Sequence, residues 1–370
     1  MGQEFSDKGI DVQLGPAAGP LGRHPDGGRN WEGFSPDPVL SGVLFADTIK
    51  GIQDNGVVAT AKHYLVNEEE HFRQVPEAIG YGYNITETLS ENLDDKTLHE
   101  LYAWPFADAV RAGVGAVMCS YQQANNSYGC QNSHLINKVL KAELGYQGFV
   151  MSDWSATHSG VGAALAGMDM TMPGDIAFND GYSYFGPNLT IGVLNGTIPQ
   201  WRVDDMAVRV MTAYYKVGRD RLYQPPNFSS WTRAEKGFEH FAVSEGSYET
   251  VNEFVNVQRD HADIIRRVAA EGVVLLKNHG SLPLTGKERN VALLGEDAGS
   301  NPDGANGCDD RGCNQGTLAM GWGSGTANFP YLITPEQAIQ QEVINGRGNV
   351  FAVTNNWAID KIEKTAAEST

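Results

Sequence analysis

Four stretches of the sequence end in side chains that could do chemistry: Arg29, the pair Lys62-His63, Tyr121, and the pair Asp153-Trp154. Arg, Lys and His are donors that can serve several hydroxyl groups at once. Trp154 offers a flat apolar face on which a ring can lie. A carboxylate held among cations stays ionised and available as a nucleophile. Together these residues describe a pocket for an uncharged, polyhydroxylated ligand, with Asp153 as the attacking group. Each also has a plainer reading. Asp153 suits a helix N-cap, Lys62 a solvated surface, His63 a structural histidine and Arg29 a loop-fixing role, while Tyr121 and Trp154 suit core or interface positions.

The elements that must position them follow from the pattern around them. Asp153 closes the short apolar run Gly148-Phe149-Val150-Met151-Ser152, which reads as a buried strand. In a parallel barrel, catalytic groups sit at the C-terminal ends of strands. Residues 1–217 alternate strand-like runs at 10–14, 57–61, 115–120, 148–152 and 168–171 with helix-like segments, the pattern of an α/β domain. One helix starts at Pro38 behind Asp37, with Val39, Leu40, Val43, Leu44, Ile49 and Ile52 near helical spacing. Others fall at 101–112, 135–144, 162–166 and 204–217. The expected fold class is α/β: a partial (β/α)8 TIM-like barrel over 1–217, missing its beginning because about five of eight strands are found. A complete five-stranded open sheet is the alternative.

Residues 218–260 lack sustained periodicity and read as a linker. Residues 261–370 read as the N-terminal part of an α/β sandwich. Helix 261–271, strands 272–276, 290–294 and 349–353, a capping box at Thr334-Pro335-Glu336-Gln337 and helix 357–367 make up this part. The chain stops where a further strand is expected.

Composition narrows the function. A net charge of -18 argues against a nucleic-acid partner, which needs clustered Lys and Arg, and favours a neutral substrate. No apolar run is long enough to span a membrane. The N-terminus lacks a leader pattern, which points to the cytoplasm. The four cysteines contradict that, because Cys119 with Cys130 and Cys308 with Cys313 form two local pairs suited to disulfides. Zinc is the competing reading, but neither pair has the usual ligand spacing. Glycosylation sequons begin at Asn84, Asn125, Asn188, Asn195 and Asn227. A metal-dependent hydrolase built on His63, Glu70 and His71 has the wrong spacing. A nucleotide site at 321–325 lacks both a preceding strand and the required glycine spacing. No metal and no cofactor is expected.

The loop 22–38, with its run Gly28-Arg29-Asn30-Trp31-Glu32-Gly33-Phe34, the pair Lys62-His63, the run 148–154 and the stretch 320–331 resemble glycoside hydrolase family 3, and the secreted fungal β-glucosidases within it. The resemblance covers essentially the whole chain. It implies a retaining β-glucosidase acting on terminal β-D-glucosyl residues of cellobiose, cello-oligosaccharides or aryl β-glucosides. By it, Asp153 is the nucleophile, and Arg29, Lys62 and His63 hold glucose hydroxyls. Tyr121 lies beside the nucleophile, and Trp154 with Met118 borders the entrance. It implies a secreted, extracellular protein, with a homodimer compatible in the full-length form. The resemblance places the acid/base glutamate beyond Thr370, so the chain alone is expected not to turn over natural β-glucosides. Glu68, Glu69 and Glu70 read instead as a polar loop or helix face, and Glu296 as a loop residue. A β-xylosidase or other family 3 exo-glycosidase, and a non-catalytic sugar-binding fragment, remain the alternatives. The sequence after Lys62-His63 disfavours the N-acetylglucosaminidase branch.

Overall fold

The computed structural model describes residues 1–19, 27, 29–178, 180–239, 247–307, 313, 315–321 and 323–369. They form two compact units, Met1–His261 and Ala262–Thr370.

The first unit is built on a parallel sheet of four strands in chain order: β1 (Val12–Gln13), β2 (Val58–Tyr64), β3 (Ala116–Cys119) and β4 (Phe149–Met151). Val12 pairs with Val58, Ala61 with Val117 and Val117 with Val150. The run at 168–171 joins only through an isolated bridge between Met151 and Met170. Among the described residues the sheet stays open and no barrel closes.

Successive residues of a strand face opposite ways, and both faces of this sheet are covered. Ala59 and Ala61 of β2 with Val57 just before it, Val117 and Cys119 of β3, and Val150 of β4 enter one buried cluster. Helices α1 (Pro38–Gln53), α2 (Trp104–Arg111) and α3 (His134–Glu143) supply the other side of that cluster. Val58, Ala116, Met118, Phe149 and Met151 enter a second cluster, which Ala213 of α4 (Gln200–Lys216) joins.

Helix α1 starts at Pro38 as the sequence predicts, whereas α2 starts at Trp104 rather than 101 and α4 at Gln200 rather than 204. Asp37 caps α1, its Oδ1 accepting from the amides of Val39 and Leu40 at 2.8 and 2.9 Å. The buried stripe of α1 is Ser41, Gly42, Phe45, Ile49 and Ile52, whereas Val39, Leu40, Val43 and Leu44 are exposed. Phe45 meets Phe106 of α2 edge to face at 5.7 Å, and Phe106 meets Tyr64 at 5.0 Å, a geometry that suits the ring quadrupoles.

Residues 218–260 contain an antiparallel pair, Lys236–Phe238 with Tyr248–Thr250. They are tied to the opening helix Gly2–Asp7: Asn227 donates to the Asp7 carbonyl at 2.8 Å, and Arg259 pairs with Asp7 at 2.7 Å.

In the second unit β5 (Asn290–Leu294) and β6 (Asn349–Val353) pair in parallel. Helix α5 (His261–Glu271) leads into the unit, and α6 (Pro335–Asn345) and α7 (Ile359–Ala367) flank the strands. The predicted capping box forms, with the Gln337 amide donating to Thr334 Oγ1 at 3.3 Å and the Thr334 amide to Gln337 Oε1 at 3.1 Å. The strand expected at 272–276 does not form: Val273 and Leu276 are 77% and 92% exposed. An apolar run becomes a strand only when its backbone groups find a pairing edge, and no described strand pairs with this one.

Candidate active site

The site lies where the sheet runs out, on the face of the second cluster. Phe149 and Met151 of β4 point to that face, and Asp153 is the next residue in the same alternation. Gly148 admits the chain to this strand. A Cβ there would lie 2.2 Å from the Gly115 carbonyl and 2.6 Å from the Tyr146 hydroxyl, so no larger residue fits.

On β2, Val58 and Thr60 lead to Lys62 in the same way. The pairing register of β2 on β3 then shifts between Ala61 and Tyr64. At this irregularity two consecutive residues, Lys62 and His63, line one cavity, which a regular strand does not allow. The same cavity is lined by Arg29, Asn30, Glu32, Asn67, Glu68 and Glu70.

Arg29 precedes a single 3₁₀ turn, Asn30–Glu32, whose i to i+3 geometry carries the Glu32 carboxylate back over the guanidinium. Arg29 Nε donates to Glu32 Oε1 at 2.7 Å, and Lys62 Nζ lies 3.1 Å from Glu32 Oε2. Gly27 packs against the Glu68 carbonyl, where a Cβ would come within 2.4 Å. Of the predicted loop, residues 22–26 and 28 lie outside the described residues.

Tyr121 follows β3, and this strand end is docked onto that of β2. The Ser120 amide donates to the Tyr64 carbonyl at 2.7 Å, and Ser120 Oγ to the Leu65 carbonyl at 2.6 Å. The disulfide Cys119–Cys130 closes the loop that carries Tyr121. Its hydroxyl donates to Asp153 Oδ1 at 3.0 Å. Burial pushes the phenol upward, so it remains a donor. The Arg73 guanidinium lies 4.8 Å from the centre of the Tyr121 ring, a cation–π distance. Arg73 is itself held by Glu70 at 2.8 Å and Glu77 at 3.1 Å.

The two oxygens of Asp153 differ. Oδ1 has the Tyr121 hydroxyl, while Oδ2 is buried with no hydrogen-bond partner among the described residues. His63 Nε2 stands 3.5 Å from Oδ2, a contact without hydrogen-bond geometry. Burial raises the Asp153 carboxyl above its ordinary value, against the pull of the Tyr121 hydrogen bond and the charges of Arg73, Arg29 and Lys62. His63 is driven well below its ordinary value, by burial first and then by Lys62, Arg29 and Arg73, so it is neutral near pH 7.

Trp154 is half-buried, packs on both clusters, and accepts at its carbonyl from Gln74 Nε2 at 3.4 Å. Met118 is 2% exposed within the second cluster and is not among the cavity-lining residues. The structure thus brings Arg29, Lys62, His63, Tyr121 and Asp153 together, while Met118 is buried in the second cluster.

Glu68 and Glu70 lie in a loop, one of the two settings that the sequence suggests for the run 68–70. Both are buried and line the cavity, and burial raises the Glu70 carboxyl against the pull of Arg73 and Arg29. Sequence reasoning assigned no role to Glu32 or Arg73. For Glu32 the available signal was a carboxylate three residues after Arg29, the spacing of one 3₁₀ turn. Glu296 belongs to the second unit, where Asn356 donates to it at 3.2 Å.

Among the described residues no group of His, Cys, Asp and Glu could hold a metal ion, and no helix is long and apolar enough to cross a membrane. Cys313 is disulfide-bonded, and Cys308 lies outside the described residues. Asn84, Asn125, Asn188 and Asn195 are exposed. Asn227 is 5% exposed and holds the Asp7 carbonyl, so a glycan on it needs that contact broken.

Known proteins resemble this chain over its whole length. Residues 1–213 match the model of the glycosyl hydrolase family 3 N terminal domain, and residues 273–370 that of the family's C-terminal domain. The chain belongs to glycoside hydrolase family 3. It is 85% identical over 370 residues to a probable beta-glucosidase A of Emericella nidulans, covering 100% of this chain and 43% of that protein. Beta-glucosidase 1 of Aspergillus aculeatus is 74% identical over 369 residues, with the same coverage of 100% and 43%. A family 3 beta-glucosidase structure from Neurospora crassa superposes with a TM-score of 0.93 at 59% identity, covering 99% of this chain and 44% of that one. Beta-glucosidase 3B of Thermotoga neapolitana, solved with glucose, gives a TM-score of 0.68 at 26% identity, covering 100% of this chain and 42% of that one. The family 3 chain described here therefore spans less than half the length of these relatives.

Proposed function

We propose that this chain carries the nucleophile and the sugar-holding donors of a retaining β-glucosidase. The observation that carries the reading is the state of Asp153: one oxygen is fixed by Tyr121, and the other has no hydrogen-bond partner among the described residues and stands beside the neutral imidazole of His63, which lines a cavity together with Arg29 and Lys62. High-identity relatives named beta-glucosidase support it. In this reading a lone pair of Oδ2 attacks the anomeric carbon. The bond to the leaving oxygen breaks, and a glycosyl ester forms on Asp153. Water then cleaves the ester and restores the carboxylate. Fixing Oδ1 lets only one oxygen attack and orients it, which lowers the entropy cost of reaching the reactive geometry. Arg29, Lys62 and His63 donate to glucose hydroxyls, and Trp154 borders the second sugar. The acid/base carboxyl is not assigned to a residue of this chain. A secreted setting fits the Cys119–Cys130 disulfide.

The test is incubation of the folded chain with a 2-fluoro-β-glucoside whose leaving group needs no protonation, followed by intact mass and peptide mapping. A single fluoroglucosyl adduct on Asp153 is expected. No adduct in a sample shown to be folded, or an adduct on another residue, overturns the assignment.

A further inference from the structure

The geometry points to Glu32 as a positioning residue that holds Arg29 and Lys62 side by side for the sugar. This deepens the β-glucosidase reading and rests on it for the identity of the ligand. Both oxygens of Glu32 are taken by the protein's own cations. Oε1 faces Arg29 Nε and Nη2 at 2.7 and 2.6 Å, and Oε2 faces Lys62 Nζ at 3.1 Å. The three side chains are only 7 to 10% exposed, so the bridge is shielded from solvent and salt. A carboxylate engaged in this way is a poor acceptor for a ligand hydroxyl and a good clamp.

The clamp solves a problem specific to these residue types. Lys and Arg side chains have many rotamers, and each must be ordered before its donors can meet a ligand. Arg29 comes from a loop and Lys62 from the end of β2, so no backbone ladder fixes one against the other. A carboxylate spanning both sets their separation before the sugar arrives. The turn Asn30–Glu32 fixes the carboxylate against Arg29, and Lys62 is tied down from behind, its carbonyl accepting from the Ala18 amide at 2.9 Å.

The first readout needs no sugar. Lys62 acetylation by an amine-reactive ester, mapped by mass spectrometry, is measured against Lys96, whose side chain is 78% exposed. In Glu32→Gln the Lys62 to Lys96 ratio is expected to rise about tenfold, the equivalent of one lost hydrogen-bonded ion pair. An unchanged ratio in folded protein overturns the clamp.

The second readout is the glucose dissociation constant of Glu32→Gln, Lys62→Met and the double variant. Glu32→Gln should bind about tenfold more weakly, and the double variant should lose less than the two single losses together, because part of the Glu32 effect runs through Lys62. Losses that simply add overturn the inference. Glu32→Asp, which keeps the charge and shortens the reach, replaces Glu32→Gln if the latter does not fold. Should the unaltered chain bind no glucose, the acetylation ratio still decides the clamp, and the failure falls on the substrate reading alone.

Discussion

Asp169 and Asp153 are both buried beside β4, and their oxygens keep opposite company. Asp169 accepts from the Val150 amide at 2.8 Å, from Arg202 at 2.7 Å and from Lys141 at 3.0 Å. Its side chain is 0% exposed. Asp153, three residues after Val150, has one oxygen on Tyr121 and the other without a hydrogen-bond partner among the described residues. A saturated buried carboxylate locks a strand to the helices behind it. A half-saturated one keeps a lone pair in a desolvated place, where it is costly to the fold and useful to chemistry. On the proposed reading, the same residue type serves at Asp169 as a fastener and at Asp153 as a reagent, and the number of donors decides which.

The largest effect expected from breaking this contrast is on Asp153. Asp153→Asn should abolish labelling by the fluorinated glucoside, with a rate loss of roughly 10⁴-fold or more. Its urea midpoint should be no lower than that of the unaltered chain, because the amide carries no charge that burial must desolvate. A large drop in midpoint would place Asp153 with the fasteners. The converse holds for Asp169→Ala, which leaves Arg202 and Lys141 buried without their shared partner. It should cost about 3–5 kcal/mol in urea unfolding, and a loss below about 1 kcal/mol would erase the distinction.

Tyr121→Phe sharpens the comparison at the reactive end. The Tyr121 hydrogen bond lowers the Asp153 pKa against the raising effect of burial. Its loss raises that pKa further, so the acid-side fall in labelling rate should begin at higher pH in the variant. His63, held neutral, should add no inflection near 6.5. An unshifted acid limb would show that Tyr121 does not set the ionisation of Asp153.

The smallest effect lies in the fastener. Burial lowers the Lys141 pKa to about 8 from 10.5. Between these values the unfolded chain holds a proton that the folded chain has released, so this group's contribution to stability rises with pH across that window. The gap in urea midpoint between the unaltered chain and Lys141→Met should therefore change between pH 8 and pH 10, in favour of the unaltered chain. A constant gap would mean that Lys141 keeps an ordinary pKa.

Local pattern reaches some of this and not the rest. The run 148–152 is legible because apolar residues between a glycine and a carboxylate mark a strand end, and the rule of C-terminal strand ends then locates Asp153. Lys62-His63 and Tyr121 follow in the same way. Glu32 is harder, because its partner Lys62 lies thirty positions away and only folding brings them together. Asp169 is hidden for the same reason: Lys141, Val150 and Arg202 come from α3, β4 and α4. The run 68–70 reads as a polar loop or helix face, and only the fold shows Glu68 and Glu70 buried at the cavity that Arg29 lines. Residues 272–276 show the opposite failure, a strand-like composition with no edge to pair with.

The covalent loop 119–130 has a consequence for how the chain responds to proteolysis. Its exposed tip, Asn125 and Asn126, is a natural place for a protease to cut. A single cut there leaves both new ends joined through Cys119 and Cys130, so the molecule gains one water in mass and comes apart only under reduction. Tyr121 stays anchored between β3 and the disulfide after such a cut. A preparation nicked at this tip is thus expected to look intact on a non-reducing gel and to label at Asp153 as the uncut chain does.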